Sequence, residues 1–461
     1  MIRLFRVFIP TSVLGLVISE IILTIACYIF AYRLLGNYEF EVYFLLEDGG
    51  LRTAIVVATL VFGIYWFDLY EDVRVNSALL LYQQFCLITG TAFIVQALLG
   101  YFDGQLPIPR WQMLIGSFLF LILVPAWRLA YAPASLKLLG QRRVIFLGAN
   151  ELVGEVASHL LRRPQAGYIA AGYLAPEAVD LPDLGPYLGP PSRIRDVYSE
   201  LKPALVAVGF SERRGQMPIY DLLDLRLHGA QIQEASELYE LVKGRVSLRA
   251  LRPSMLVFSD ALGPRQLNVA LQRVYSFLIA LVGIVVALPV MLVVALLVRL
   301  TSRGPALYRQ PRVGLHGSVF KVLKFRSMYA DAEARTGAVW ARKDDPRVTP
   351  VGRWIRRYRL DELPQLFNVL RGEMAIVGPR PERPEFVATL TEQIPFYGQR
   401  HFVKPGITGW AQINHKYGDT LEDTITKLEY DLYYLKNLSL SIDLYIMFHT
   451  AKVMLLTRGS Q

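Results

Sequence analysis

The sequence predicts a multidomain membrane protein in three parts. An N-terminal four-helix transmembrane bundle occupies 1–135, a Rossmann-like α/β cytoplasmic domain 141–260, and a mostly α-helical C-terminal catalytic domain 266–461, which carries a re-entrant membrane helix over 274–298. Three observations predict it. Long runs without charge occur five times, strand and helix patterns alternate between 143 and 260, and the excess positive charge falls after residue 260. The chain is 53% hydrophobic and 19% charged over 461 residues, against roughly 25% charged for an average soluble domain. That balance excludes a disordered chain, a collagen-like chain and a single small domain. Cys27 and Cys86 both lie in apolar runs, so neither a disulfide framework nor a cysteine zinc site is expected.

The bundle rests on four runs. Val7–Tyr32 contains only Glu20 as a charge, whereas Thr53–Phe67, Val75–Phe102 and Trp111–Trp127 contain none. A crossing helix needs about 20 residues; Leu51–Leu69 and Ile108–Leu129 extend the two shorter runs to that length. Arg3 and Arg6 precede the first run, and Arg128, Lys137, Arg142 and Arg143 follow the fourth. Both ends of the bundle are therefore expected on the cytoplasmic side. Glu20 reads either as a substrate contact or as a helix-packing hydrogen bond.

In the second part, Arg143–Gly148 reads as a buried strand and Asn150–Leu161 as a helix. Ile169–Tyr173 and Leu205–Val208 read as strands, and Pro218–Leu227 and Glu234–Val242 as helices. Such alternation implies a parallel sheet. Gly148 and Gly154 do not have the G-x-G-x-x-G spacing of a dinucleotide turn, so a scaffold role is expected over nucleotide binding.

The fifth run, Val274–Val298, is flanked by Arg265 and Arg273 on one side and by Arg299, Arg303, Arg309 and Arg312 on the other. Positive charge at both ends argues that both ends are cytoplasmic. Pro289 lies inside the run and is expected to kink or break the helix there, letting it re-enter the face it came from; the alternative is an ordinary span with a tolerated proline.

Residues 261–461 hold 27 Lys/Arg and 16 Asp/Glu. Arg347–Arg371 contains six Lys/Arg and two acids, Asp361 and Glu362. Arginines suit bidentate phosphate binding. A carboxylate among them is expected to stay ionised, ready to hold Mg2+ on a diphosphate or to attack phosphorus. Nucleic acid is not expected as a partner, because the basic segments adjoin membrane-active helices and enclose an acidic pair.

Five stretches make the C-terminal part resemble the bacterial sugar transferase family, the monotopic polyprenyl-phosphate phosphoglycosyl transferases. They are Lys324–Met328, Asp345–Arg347, Asp361–Val369, Val377–Pro381 and Lys404–Gln412, and the resemblance covers about Gln266–Leu456. With its four spans and α/β insert, the whole chain resembles the large subclass that initiates exopolysaccharide or O-antigen synthesis. The tail, Tyr417–Asp419 and Glu429–Tyr434, resembles members associated with PEP-CTERM/exosortase exopolysaccharide loci. The resemblance implies transfer of a sugar 1-phosphate from a UDP-sugar to undecaprenyl phosphate, releasing UMP, at the bacterial inner membrane with the active site facing the cytoplasm. It implies Asp361 as the nucleophile that carries a phosphosugar, and Glu362 as the catalytic partner that holds Mg2+. Arg356 and Arg380 are implied as phosphate or nucleotide contacts, and Lys324, Arg326 and Arg347 as further substrate-binding positions. Pro289 matches the break of the membrane-dipping helix. Glucose or galactose 1-phosphate is the expected cargo, with N-acetylated sugars as the alternative, and a homodimer is allowed.

A competing enzyme class, an NAD-dependent nucleotide-sugar dehydratase or epimerase, rests on Tyr239 and Lys243, a Tyr-x-x-x-Lys pair. The failed glycine spacing and the short separation from Gly148 count against it.

Overall fold

The computed structural model describes residues 2–4, 7–9, 11–35, 40–46, 48–67, 69–70, 78–138, 142–163, 168–181, 183–210, 217–251, 265–329, 345, 347–415 and 420–455. The tail positions Tyr417–Asp419 lie outside them. The chain divides into two compact units, essentially residues 8–235 and 236–461.

Within the first unit, helices α1 (Thr11–Leu34), α2 (Gly49–Trp66), α3 (Ala78–Phe102) and α4 (Arg110–Leu138) form the bundle. Each is long and apolar enough to cross a membrane, α4 over Arg110–Tyr131. They share a core that includes Tyr28, Ile64, Phe85, Ile88 and Phe120. Small residues let the helices approach: a Cβ on Gly116 would lie 2.4 Å from the Tyr28 ring, and one on Gly63 would lie 2.7 Å from Ile88. Glu20 is fully buried, and Arg128 donates to its two oxygens from Nε and Nη2, both at 2.7 Å. Arg128 Nη1 also donates to Leu69 O at 2.7 Å. The lone acid is therefore a helix-packing group paired inside the bundle. The pairing offsets the cost of holding both charges away from water.

The same unit holds a four-stranded parallel sheet. Its strands are β1 (Arg142–Leu147), β2 (Tyr168–Leu174), β3 (Leu205–Val208) and β4 (Ile232–Glu234), in the order β2-β1-β3-β4. The helix Ile194–Leu201 and strand β4 were not legible in the sequence: both are short, and β4 is only three residues long. Gly148 has φ 98°, and a Cβ there would lie 2.9 Å from the backbone of Gly209 and Phe210. Asn150 caps the next helix by accepting from Val153 N at 2.9 Å and donates to Gly209 O at 2.8 Å. The glycine therefore serves close packing of the β1 and β3 ends.

The second unit begins earlier than the sequence pattern implies. Helix Ala235–Lys243 and the turn after it pack on the C-terminal residues. Tyr239 is buried, and its hydroxyl donates to Glu429 Oε2 at 3.3 Å. Leu248 N donates to Glu429 Oε1 at 2.8 Å, and Trp410 Nε1 donates to Gly244 O at 2.7 Å. Tyr239 is thus a packing residue, and the dehydratase reading loses its base.

A single helix, Gln266–Thr301, runs through this unit with Pro289 inside it. The helix continues on both sides of Pro289. At about 1.5 Å per residue its 36 residues extend about 54 Å. Near its start, Gln272 Nε2 donates to Asp443 Oδ2 and Tyr434 Oη, both at 2.7 Å. Past Pro289, Met291, Val294 and Val298 pack with Phe325 and Ile355. Val282, Val285 and Val286, between these anchors, are 62–72% exposed. The helix is followed by an antiparallel hairpin, Leu307–Val313 against Val319–Phe325.

Candidate active site

The acidic pair sits on a turn that the preceding residues force. Helix Pro350–Arg357 is capped by Thr349, whose hydroxyl accepts from Gly352 N at 2.9 Å. Gly352 tolerates no side chain, because a Cβ would lie 1.9 Å from Ser327 O. Arg359 then adopts a left-handed conformation, φ 54°, which costs a non-glycine residue on the order of 1 kcal/mol or more. The chain turns at once into the 3-10 turn Leu360–Glu362, and Pro364 leads into helix Gln365–Leu370.

The turn treats its two carboxylates differently. Glu362, 9% exposed, is gripped by cations: Oε1 accepts from Arg380 Nη2 at 2.9 Å and from Lys324 Nζ at 3.2 Å, and Oε2 lies 3.9 Å from Arg359 Nη1. Burial alone would raise its pKa, but Arg380, Lys324 and Arg359 together hold it below the ordinary glutamate value. Asp361, 8% exposed, makes no side-chain hydrogen bond or ion pair among the described residues. Burial, and then the negative charge of Glu362, raise its pKa. The cations Lys324, Arg356 and Arg380 oppose that rise without cancelling it. The surrounding cations therefore outweigh desolvation at Glu362, whereas at Asp361 desolvation and the Glu362 charge outweigh them. Burial also lowers the pKa of Lys324.

Arg380 is aimed by a tight backbone junction. Strand Ala375–Val377 pairs in parallel with Gly406–Thr408. A Cβ on Gly378 would lie 2.3 Å from Lys404 O, and one on Gly409 would lie 2.2 Å from Gly378 O. The Val377–Pro381 and Lys404–Gln412 motifs are thus two halves of one crossing that only glycine permits. Beyond it, buried Arg400 donates from Nη2 to Arg380 O at 3.0 Å and from Nε to Asp431 Oδ2 at 3.0 Å. From the hairpin, Arg312 Nη1 donates to Pro381 O at 3.1 Å. Asn368, fully buried, accepts from Leu323 N at 3.0 Å and donates to Lys321 O at 2.9 Å. It fastens the strand that carries Lys324 to the helix that follows Glu362.

Of the expected site residues, Asp361, Glu362, Lys324, Arg356 and Arg380 come together. Arg326 does not join them. It is buried, and its Nη2 donates to Ser302 O at 2.7 Å and Val298 O at 3.4 Å, so it caps the C-terminus of the long helix. Arg347 is taken up by Asp345, with Nε 2.8 Å from Oδ1 and 3.0 Å from Oδ2, which holds the Asp345 carboxyl at about 2. Sequence reasoning noted Arg359 only as a neighbour of the acidic pair, and gave no role to Asn368, Arg400 or Asp431. Asn368 and Arg359 lay inside or beside quoted motifs, but the Arg400–Asp431 pair spans 31 residues and leaves no local signal.

No cluster of three His, Cys, Asp or Glu residues that could cage a metal exists among the described residues. A magnesium ion takes one or two carboxylates and fills its shell with phosphate oxygens and water. Glu362, whose Oε2 lies 3.9 Å from Arg359 Nη1, can supply one such carboxylate.

Residues 267–457 match the bacterial sugar transferase family. A protein of Aeromonas hydrophila, UDP-N-acetylgalactosamine-undecaprenyl-phosphate N-acetylgalactosaminephosphotransferase, is 41% identical over 230 residues, 50% of this chain and 53% of that one. The exopolysaccharide production protein PSS of Rhizobium leguminosarum bv. phaseoli is 40% identical over 198 residues, 42% of this chain and 98% of that one. A UDP-glucose:undecaprenyl-phosphate glucose-1-phosphate transferase of Xanthomonas campestris pv. campestris is 32% identical over 320 residues, 67% of this chain and 66% of that one. The chain thus spans about half the length of the Aeromonas relative.

Proposed function

Because the chain belongs to the bacterial sugar transferase family, we propose that it transfers a sugar 1-phosphate from a UDP-sugar to undecaprenyl phosphate, with UMP as the other product. This would be the first membrane-bound step of a polysaccharide. The observation that carries the reading is the division of labour at the turn: an unpaired, buried Asp361 beside a Glu362 gripped by Lys324 and Arg380. The Asp361 carboxylate attacks the β-phosphorus of the donor, the bond from that phosphorus to the bridging oxygen breaks, and UMP leaves. An oxygen of undecaprenyl phosphate then attacks the same phosphorus and releases Asp361. A raised pKa makes Asp361 the more basic and more nucleophilic of the two acids. Lys324, Arg356 and Arg380 counter the charge that builds on the transferring phosphoryl oxygens. Mg2+ bound by Glu362 and the diphosphate would neutralise further donor charge.

One-sided seating of the long helix supports the same reading. Gln272 at one end and Val298 at the other are both bonded to the same compact unit. A helix that crossed the bilayer would part its two ends. On this reading helix Gln266–Thr301 enters and remains at the cytoplasmic face of the inner membrane, where nucleotide sugars are found. The parallel sheet, with its single reversal of strand order, is read as a Rossmann-like scaffold. The test is a release assay on the full chain in nanodiscs, with undecaprenyl phosphate and a panel of UDP-glucose, UDP-galactose and their N-acetylated forms. UMP release that depends on both substrates is expected with at least one donor; release with none overturns the proposal.

A further inference from the structure

A second group of cations gathers at the other end of the long helix. Its first turns, helix Gln365–Leu370 and the segment Phe402–Lys404 enclose a cavity of about 260 Å³. Arg273 and Lys404 line it, His316 adds a third nitrogen group, and no lining residue is acidic. Neither Arg273 nor Lys404 has an ion-pair partner among the described residues. Lys404 Nζ lies over Gly372, within 3.4 Å of where a Cβ would stand. Burial, and then the charge of Arg273, push the pKa of Lys404 down, so the two cations face each other without compensation. Two like charges held together in a partly buried cavity are unfavourable unless an anion joins them.

The walls indicate what kind of anion. Phe277 lines the cavity and is also 47% exposed, next to Leu278, Leu281 and Val282 on the uncovered apolar face of the same helix. The cavity thus opens onto the surface that faces lipid. Arg273 immediately precedes the apolar run and stands at headgroup depth when the helix is seated in the membrane. Gln266 at the helix start lines the cavity as well, so the positive end of the helix dipole adds to the field.

We propose that this cavity binds the phosphate headgroup of an anionic membrane lipid between Arg273 and Lys404, with the lipid chain lying along the Phe277 side of the helix. The proposal rests on the membrane seating of helix Gln266–Thr301 but not on the transfer chemistry. A retained lipid can be counted whether or not UMP is released.

The test uses the full chain in nanodiscs of phosphatidylcholine, doped in separate arms with undecaprenyl phosphate or phosphatidylglycerol. After exchange into lipid-free detergent, the lipid retained per protein is measured by mass spectrometry. Wild type is expected to retain at least one doped lipid well above its bulk fraction, and the enriched arm names the source. The double variant Arg273→Gln, Lys404→Gln should lose that enrichment by roughly tenfold. The charge-keeping pair Arg273→Lys, Lys404→Arg should retain most of it, which separates charge from folding. Equal enrichment in wild type and the neutral variant overturns the proposal. So does displacement of the lipid by inorganic phosphate at equal concentration, because the site would then be a plain anion site.

Discussion

At the scale of single residues, the turn separates two acids that are neighbours in sequence and unlike in chemistry. Asp361→Asn should cut UMP release by on the order of 10³-fold or more and abolish a phosphosugar adduct detectable by intact-protein mass spectrometry. Near wild-type release would remove the covalent step. The raised pKa of Asp361 sets the sign of the pH dependence. The attacking form is deprotonated, so the rate should rise with pH through a limb above the ordinary aspartate value of about 3.9. Arg380 stabilises that anion, so Arg380→Gln should carry the limb to still higher pH; a downward shift in the pH–rate profile would contradict the assignment. The acidic pair was legible in the sequence because two carboxylates stand out in a basic segment. The partners that Arg326 and Arg347 find inside the chain were not legible, for the converse reason. Local charge says that an arginine wants an anion or a carbonyl, but not that a helix end or Asp345 supplies it.

At the scale of elements, the long helix is held by side chains rather than by its own sequence. Arg326 donates to its last carbonyls, so Arg326→Gln should lower thermal stability by roughly 1.5–3 kcal/mol. The donor KM should change little, which denaturation in nanodiscs together with steady-state assays would establish. Single cysteines near Arg265 and Arg312 should be labelled from the cytoplasmic side alone; periplasmic labelling at Arg312 would sink the one-sided seating. The helix itself was legible from its uncharged run, and the bundle likewise. The helix also continues past Pro289, as a membrane helix can where neighbouring groups re-satisfy the backbone carbonyl that a proline frees.

At the scale of the molecule, the boundary between the two units matters most. Glu429 is buried, and Tyr239, Arg245 and the Leu248 amide, which contact it, precede residue 263. A chain begun at Gly263 loses those three contacts to a buried charge and should be less stable by about 3–5 kcal/mol than one begun at Ser236, read as a lower midpoint in a thermal melt. Strand and helix alternation concealed this boundary, since Ala235–Lys243 continues the α/β pattern while packing on the C-terminal residues. The pinning of the long helix also has a consequence in time. Gln272 finds its partners Tyr434 and Asp443 162 and 171 residues later. At 5–20 residues per second, the ribosome takes roughly 8–35 s to supply them. Throughout that interval the insertion machinery meets an apolar helix whose first turns still lack their Tyr434 and Asp443 partners. The final topology is therefore decided after synthesis has passed the helix, by the C-terminal residues arriving to claim it. A chain stopped before Leu440 should emerge with that helix threaded in both senses.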